Sequence, residues 1–214
     1  MPSGAYQSFR YNIVDVDRLI NSHAALSGTG LGKRGLGHIT RSGVVMLCAS
    51  WELYLEQLLL ESARYYTKRL ELPSELPKDV QKSISRHVKS SKHELKPLQL
   101  SGDGWKGVYL DYVRAGTGKL NTPKTSNVNT MYGDLLGDPK LSACWAIGEA
   151  AIDGFVTVRG DIAHRGRHAA YIPIWQLQQY RNNIYVAAVD TDNHISDFLR
   201  AITPGNRKPW RITH

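Results

Sequence analysis

Apolar residues recur every three or four positions along most of the chain, a period that predicts α-helices and leaves no alternating segment strong enough to indicate a sheet. Each stripe of apolar positions marks the face that a helix buries. The stripes predict main helices at about 12–25, 44–70, 77–91, 143–162 and 174–202, with shorter ones at about 104–115 and 129–136. Such helices bury their stripes by packing against each other, so we expect an all-α, antiparallel helical bundle of four to five main helices.

Glycine and proline interrupt this pattern in two places. Residues 27–37 contain five glycines and are expected to form a flexible loop. Residues 92–140 are less regular and are expected to be an irregular, basic insertion. We therefore predict a single helical domain at 1–203, followed by a basic C-terminal tail at 204–214.

The charge of the chain favours an anionic partner. Lys and Arg number 27 against 19 Asp and Glu, a formal net charge of +8. Such an excess attracts polyanions without specifying a fold. Between Arg86 and Lys124 the bias is stronger, and two interpretations stay open for this segment: an ordinary solvated insertion, or a basic face that contacts phosphates.

Cysteine use and hydropathy indicate the compartment. Cys48 and Cys144 both lie in apolar helical patterns, which predicts two buried, reduced thiols rather than a disulfide or a metal site. The first residues lack the apolar run of a signal peptide, and no uninterrupted apolar stretch has the length of a membrane span. We expect a cytoplasmic protein without membrane association.

The densest polar cluster directly follows an apolar stripe and comprises Arg159, Asp161, His164, Arg165, Arg167 and His168. An arginine and a histidine suit RNA cleavage. Histidine, with an unperturbed pKa of about 6.5, can take or give a proton near neutrality. A permanently charged guanidinium can bind a phosphate through two hydrogen bonds and stabilise the charge that grows on it. This chemistry needs no metal or other cofactor.

The spacing of Arg159 and His164 places a condition on that interpretation. Five residues of a regular helix turn about 500°, so the two side chains would lie about 140° apart. Either the helix loosens near Gly160, or the working site combines residues from two chains. The alternative is a basic helix end capped by Gly166, where Arg and His complement the helix dipole.

The segment from Asp153 to Gly166 resembles the signature of HEPN-domain ribonucleases, which carry Arg-x(4–6)-His before the last core helix. The earlier segment from Val45 to Glu56 is similar to the long helix of the RiboL-PSP and MAE_28990-like HEPN branch, which often has an aromatic–Glu pair, here Trp51-Glu52. The order of long helix, variable insertion, motif and final helix also fits. The resemblance covers roughly residues 10–202.

This resemblance implies a homodimer in which two motifs meet to form a metal-independent endoribonuclease site. It implies catalytic roles for Arg159 and His164. Gly160 stands where family members commonly carry a polar residue, and Asp161 is the candidate for that supporting role. Glu52 is a candidate for orienting Arg159 across the core. The remaining cations of the cluster, Arg165, Arg167 and His168, are candidates for binding RNA.

The resemblance also implies partners and alternatives. Many family members are toxins or phage-defence effectors, so an antitoxin or other regulatory protein is a possible partner besides RNA. Some members are inactive, so a non-catalytic dimerisation and binding module is the second hypothesis. A metal-dependent nuclease is the third, because Glu52 and Glu56, like Glu149 and Asp153, are four residues apart on predicted helices. No G-x-S-x-G motif points to a serine hydrolase.

Overall fold

The computed structural model describes residues 1–28 and 33–211. Within these ranges the chain forms seven α-helices and no strand, which confirms the all-α bundle. The helices are α1 (Gly4–Ser27), α2 (Gly37–Arg69), α3 (Lys78–Lys89), α4 (Gly104–Thr117), α5 (Thr125–Leu136), α6 (Glu149–Arg165) and α7 (Ile174–Ile202). Of the predicted glycine-rich loop, residues 29–32 lie outside the described ranges, whereas Lys33–Leu36 forms a 3₁₀ turn that leads into α2.

Helix α2 is the centre of the bundle. It packs against α1, α4, α5, α6 and α7, and its apolar stripe is buried at successive turns, from Val44 through Leu47, Trp51 and Leu55 to Leu58. By length and composition α2 is also the one helix of the described residues that could cross a membrane. More than half of its most apolar window is buried inside the bundle, as expected for the core helix of a globular domain.

Helices α1 and α7 flank α2. The carboxylate of Glu61 on α2 accepts hydrogen bonds from the backbone N–H groups of Gly4 and Ala5, so the start of α1 meets the end of α2 and the two helices run antiparallel. Helix α7 packs against both α1 and α2, and the Tyr54 hydroxyl of α2 donates to the carbonyl oxygen of Ala188 on α7 at 2.9 Å. These contacts hold α7 alongside α2, and α6 packs against both of these helices.

The predicted insertion at 92–140 is more regular than its composition suggests. It contains α4 and α5, which pack on α2 and on α3. Three buried tyrosine hydroxyls lock this layer to backbone carbonyls: Tyr66 to Leu136, Tyr109 to Leu135, and Tyr132 to Leu55. The irregularity is therefore confined largely to the connections between the helices.

Helix α6 differs from its prediction at both ends. The stripe suggested a start near residue 143, but Leu141–Cys144 forms a 3₁₀ turn and Gly148, with φ of +79°, precedes the first helical turn at Glu149. The helix is then continuous to Arg165, so the loosening near Gly160 considered above does not occur. Gly166, with φ of +53°, ends it and donates its N–H to the carbonyl of Ile162, as a capping glycine does.

The C-terminal tail packs against α7 over the residues described. Trp210 is buried, and its indole N–H donates to the carbonyl oxygen of Asp192 at 3.0 Å. Lys208 forms an ion pair with Asp197 at 2.8 Å. Apolar burial by one large side chain, which composition alone does not reveal, fixes a segment that its basic sequence marked only as a tail.

Candidate active site

A surface depression of about 530 Å³ lies beside the C-terminal half of α6. Its walls come from two parts of the chain: Thr122 and Lys124 before α5, and Val156, Thr157, Arg159, Gly160, Asp161, His164 and Arg165 on α6. Arg159 and His164 thus border the same depression although α6 is a regular helix between them.

Gly160 helps to explain how one depression reaches both side chains. It lies between Arg159 and His164 on the helix surface, and a Cβ atom added there would meet no atom within 4 Å. The face of α6 is therefore open at this position, and the long arginine side chain borders the opening from its flank. The polar residue that resembling sequences carry here would also find free space.

Arg159 is half-buried and lies near two side chains of α2. Burial raises the pKa of Glu52 above its usual range, and the positive charge of Arg159 opposes that rise. The Oε2 atom of Glu52 is buried and has no hydrogen-bond partner among the described residues. The charges of Glu52 and Arg159 therefore interact across the α2–α6 contact.

Cys48 lies one helical turn before Glu52 and senses the same arginine. Burial raises the pKa of the Cys48 thiol to about 12, with Arg159 opposing and Glu52 adding to the rise. Cys144 is free as well, and burial also raises its pKa to about 12. Burial therefore disfavours the reactive thiolate at both positions.

The end of α6 presents His164 to solvent. One turn of helix connects the guanidinium of Arg165 to Asp161, whose Oδ1 lies 3.5 Å from Arg165 Nη1. Asp161, the candidate for supporting Arg159, thus has Arg165 as its closest cation. Arg167 and His168 lie in the exposed turn Gly166–His168 and do not border the depression.

Lys124 completes the site from outside α6. It directly precedes α5, and the backbone N–H of the next residue, Thr125, donates to Asp153 Oδ1 at 2.8 Å. Asp153 on α6 therefore holds the start of α5 in place and sets Lys124 opposite Arg159 and Arg165. From the sequence, Lys124 appeared only as the end of a basic segment, because its neighbours on α6 are set by tertiary packing.

The two carboxylate pairs suggested for metal binding differ from each other. Glu149 accepts a hydrogen bond from the Ser142 hydroxyl, and Asp153 is engaged with Thr125. Glu52 and Glu56 are half-buried, and burial raises the pKa of both. Among the residues that the structure describes, no cluster of three or more His, Cys, Asp or Glu side chains has a geometry that could hold a metal ion.

Comparison with known families agrees with the all-helical fold. The profile of the RiboL-PSP-HEPN family matches residues 11–197, which include both segments quoted above and the whole depression. No curated protein and no solved structure matches the chain significantly. The extent of the family match shows that the chain belongs to the RiboL-PSP-HEPN family, whose HEPN domain is that of a nuclease or a nucleotide-binding module.

Proposed function

We propose that the protein is a metal-independent endoribonuclease that cleaves RNA at the depression beside α6. One observation carries the proposal: Lys124, Arg159, His164 and Arg165 border a single depression. Three permanent cations and one carboxylate, Asp161, give this surface a net positive charge, which favours a phosphate. A histidine at the same surface supplies a side chain that can act as general acid or base.

In the proposed reaction, an intramolecular transesterification, phosphorus exchanges its bond to the 5′-oxygen for a bond to the 2′-oxygen. A base removes the 2′-hydroxyl proton, the 2′-oxygen attacks phosphorus, and the bond to the leaving 5′-oxygen breaks as that oxygen receives a proton. The products are a 2′,3′-cyclic phosphate and a free 5′-hydroxyl. His164 performs one of the two proton transfers, and Arg159 stabilises the charge on the pentacoordinate phosphorus.

Glu52 and the flanking cations would support this chemistry. The buried carboxylate of Glu52 keeps Arg159 oriented toward the depression from the α2 side. Lys124 and Arg165 bind the RNA backbone by charge, and the exposed Arg167 and His168 extend that binding beyond the depression. Asp161 acts on the site through Arg165.

A homodimer would provide the second proton-transfer group, because only one histidine borders the depression. Exposed aromatic side chains support association on this side of the molecule: Trp175 is 62% exposed and Tyr171 40%. Tyr171 borders a small pocket that shares Thr157 and Asp161 with the depression. Detection of a single 23.9 kDa species by light scattering at micromolar concentration would contradict this part of the proposal.

The function is tested by cleavage of single-stranded RNA in EDTA. We expect His164→Ala to lower the cleavage rate by about 10²- to 10⁴-fold and Arg159→Ala by about 10²- to 10³-fold, because each removes a group that acts in the transition state. Matched controls are His38→Ala and Arg18→Ala, which change exposed residues of the same types outside the depression and should stay near the wild-type rate. A His164→Ala protein that cleaves as fast as the wild type would exclude the catalytic assignment.

The second candidate function is a non-catalytic module that binds RNA or a regulatory protein, and Gly160 favours it. Gly160 replaces the polar residue expected after the arginine and leaves Arg159 without that neighbour. Wild-type protein that binds RNA but leaves it intact over a broad pH range would support this function. A role as a toxin or phage-defence effector, with an antitoxin as partner, extends the first proposal to the cell.

A further inference from the structure

A second depression, of about 460 Å³, lies between α3, α4 and α5. The family match and the candidate active site leave it without a role. It is bordered by His87, Tyr112, Ala115, Gly116, Lys119, Leu120, Asn127, Thr130, Met131, Asp134 and Leu135. We propose that it binds one unpaired nucleobase of the RNA strand whose phosphate lies at Arg159, an inference that rests on the proposed function and identifies where its substrate is held.

One wall of this base pocket is aromatic. The rings of His87 and Tyr112 lie 4.8 Å apart between centroids, with their planes at 35°. Both side chains are partly exposed at the mouth. Burial, together with the charges of Lys96 and Lys119, lowers the pKa of His87, which favours the neutral ring. Neutral, partly exposed rings form the kind of surface on which a base stacks irrespective of its sequence.

The floor of the pocket is apolar because α4 and α5 approach closely. A Cβ atom added at Gly116 would lie 2.6 Å from a methyl carbon of Leu135, so the absence of a side chain at Gly116 permits the contact. Met131 and Leu135 are buried beneath it. A flat ring that enters along the aromatic wall would therefore cover apolar surface rather than displace water from charged groups.

The rim offers groups suited to the edge of a base and to its phosphate. Asp134 lies at the rim, where one of its carboxylate oxygens already accepts from the Ser83 hydroxyl at 3.3 Å. A carboxylate accepts hydrogen bonds from the amino or imino groups of a base, and the cation of Lys119 attracts the phosphate that follows it. The amide of Asn127 is exposed beside them.

The base pocket is connected to the candidate active site by a short piece of chain. Leu120 borders the pocket and Thr122 borders the depression beside α6. These residues are two positions apart in the chain, so their backbones lie at most about 7 Å from each other. The side-chain amide of Asn127 donates to the carbonyl oxygen of Thr122 at 2.8 Å and fixes the rims to each other. Lys119 and Lys124 stand at the two ends of this bridge, where the backbone of one strand would pass.

The experiment measures binding of a short fluorescent single-stranded RNA to the His164→Ala protein by fluorescence anisotropy. In this background we expect Tyr112→Ala to weaken binding by about 5- to 50-fold, because a base loses its stacking partner. Tyr112→Phe keeps the ring and should restore binding. The matched control is Tyr11→Ala, which removes a tyrosine that is 82% exposed on α1 and should leave the affinity unchanged.

A second arm tests the contact from the RNA side. An abasic nucleotide moved along the oligonucleotide should weaken binding strongly at one position, and Tyr112→Ala should add nothing to that loss. AMP or GMP should compete only at concentrations far above those of the oligonucleotide. Competition by a mononucleotide at an equal concentration would instead identify a free nucleotide as the ligand and contradict the proposal that the pocket binds a base of an RNA strand.

The outcomes separate this inference from the proposed function. Equal binding by the Tyr112→Ala and Tyr11→Ala proteins, both folded by circular dichroism, would overturn the base pocket even if the wild type cleaves RNA. Should Tyr112→Ala fold poorly, Lys119→Ala compared with the exposed Lys140→Ala carries the same test, with weaker binding expected only for the former. Binding that depends on Tyr112 in a wild-type protein that cleaves nothing would refute the nuclease alone. Absence of all RNA binding would refute both.

Discussion

Two pairs of carboxylates stand at the same spacing on two helices and end in different environments. Glu149 and Asp153 on α6 both have hydrogen-bond donors. Glu149 accepts from the Ser142 hydroxyl, and Asp153 accepts from the Thr125 N–H at the start of α5. Glu52 and Glu56 on α2 are half-buried, and Glu52 adds to the rise in the pKa of Glu56. The first pair connects elements of the fold, whereas the second places one half-buried carboxylate, Glu52, where it interacts with the charge of Arg159.

The difference shows that helical spacing alone does not assign a role to a carboxylate. What separates the pairs is which atoms the rest of the fold supplies to them. A hydroxyl and a helix N-terminus satisfy the α6 pair, and a carboxylate so satisfied contributes to stability. In the α2 pair, Glu52 receives the opposing charge of Arg159, whereas Glu56 receives only the like charge of Glu52, so burial raises the pKa of both carboxylates.

The largest effect that the comparison predicts is on stability at Asp153. Asp153→Ala removes the acceptor of the Thr125 N–H, and we expect a loss of about 2 kcal/mol, which corresponds to a fall in Tm of roughly 4–8 °C for a chain of this size. Thermal unfolding followed by circular dichroism measures it. Asp153→Asn keeps an acceptor oxygen and should recover about half of the loss. An unchanged Tm for Asp153→Ala would remove the structural role given to the α6 pair.

Glu52→Gln should act in the opposite way, on cleavage rather than folding. Losing the buried negative charge beside Arg159 alters the orientation of the guanidinium, and we expect cleavage to fall about ten-fold. At pH 7 the variant should be at least as stable as the wild type, because the glutamine needs no buried charge. RNA cleavage rates and Tm measured on the same preparations test both halves. A marked loss of stability with normal cleavage would reverse the contrast between the pairs.

Glu56→Gln should have the smallest effect. Because burial raises the pKa of Glu56 in the folded chain, the folded state holds its proton more tightly than the unfolded state does. Wild-type stability therefore falls as pH rises from the usual glutamate value of 4.5 through the raised value, and the variant lacks this component. We expect cleavage within about two-fold of wild type and a gain in Tm at pH 7 of no more than about 2 °C. A loss of stability at pH 7 would contradict the sign of this linkage.

The helices were predictable because their apolar stripes are local features of the sequence. The stripe from Val44 onward needs only the helical period to be recognised, and α2 buries it as expected. The start of α6 was not predictable from the stripe, since Ala143 and Ile147 continue the apolar spacing although the backbone turns at Gly148. The apolar period alone does not reveal that a glycine with positive φ separates the preceding turn from the start of the helix.

The candidate site was predictable in part. Arg159 and His164 followed from the motif, and the expected proximity of Glu52 to Arg159 agrees with the electrostatic interaction between them. Lys124 was predicted only as part of the basic segment that ends at it, because its place beside α6 depends on the bond between Thr125 and Asp153, which joins residues 28 positions apart. The base pocket needed three helices and the close approach at Gly116, none of which has a signature in a single segment.

The buried thiol of Cys48 can report how often the packing around it opens in the native protein. The side chain is fully buried, its thiol interacts with the charge of Arg159, and burial raises its pKa to about 12, so an alkylating reagent reacts with it only when the packing around it opens. The rate of modification of Cys48 therefore measures how often the core next to Arg159 opens in the native protein. If RNA binds at the depression, saturating RNA slows the modification of Cys48 without any change in the intrinsic reactivity of the thiol.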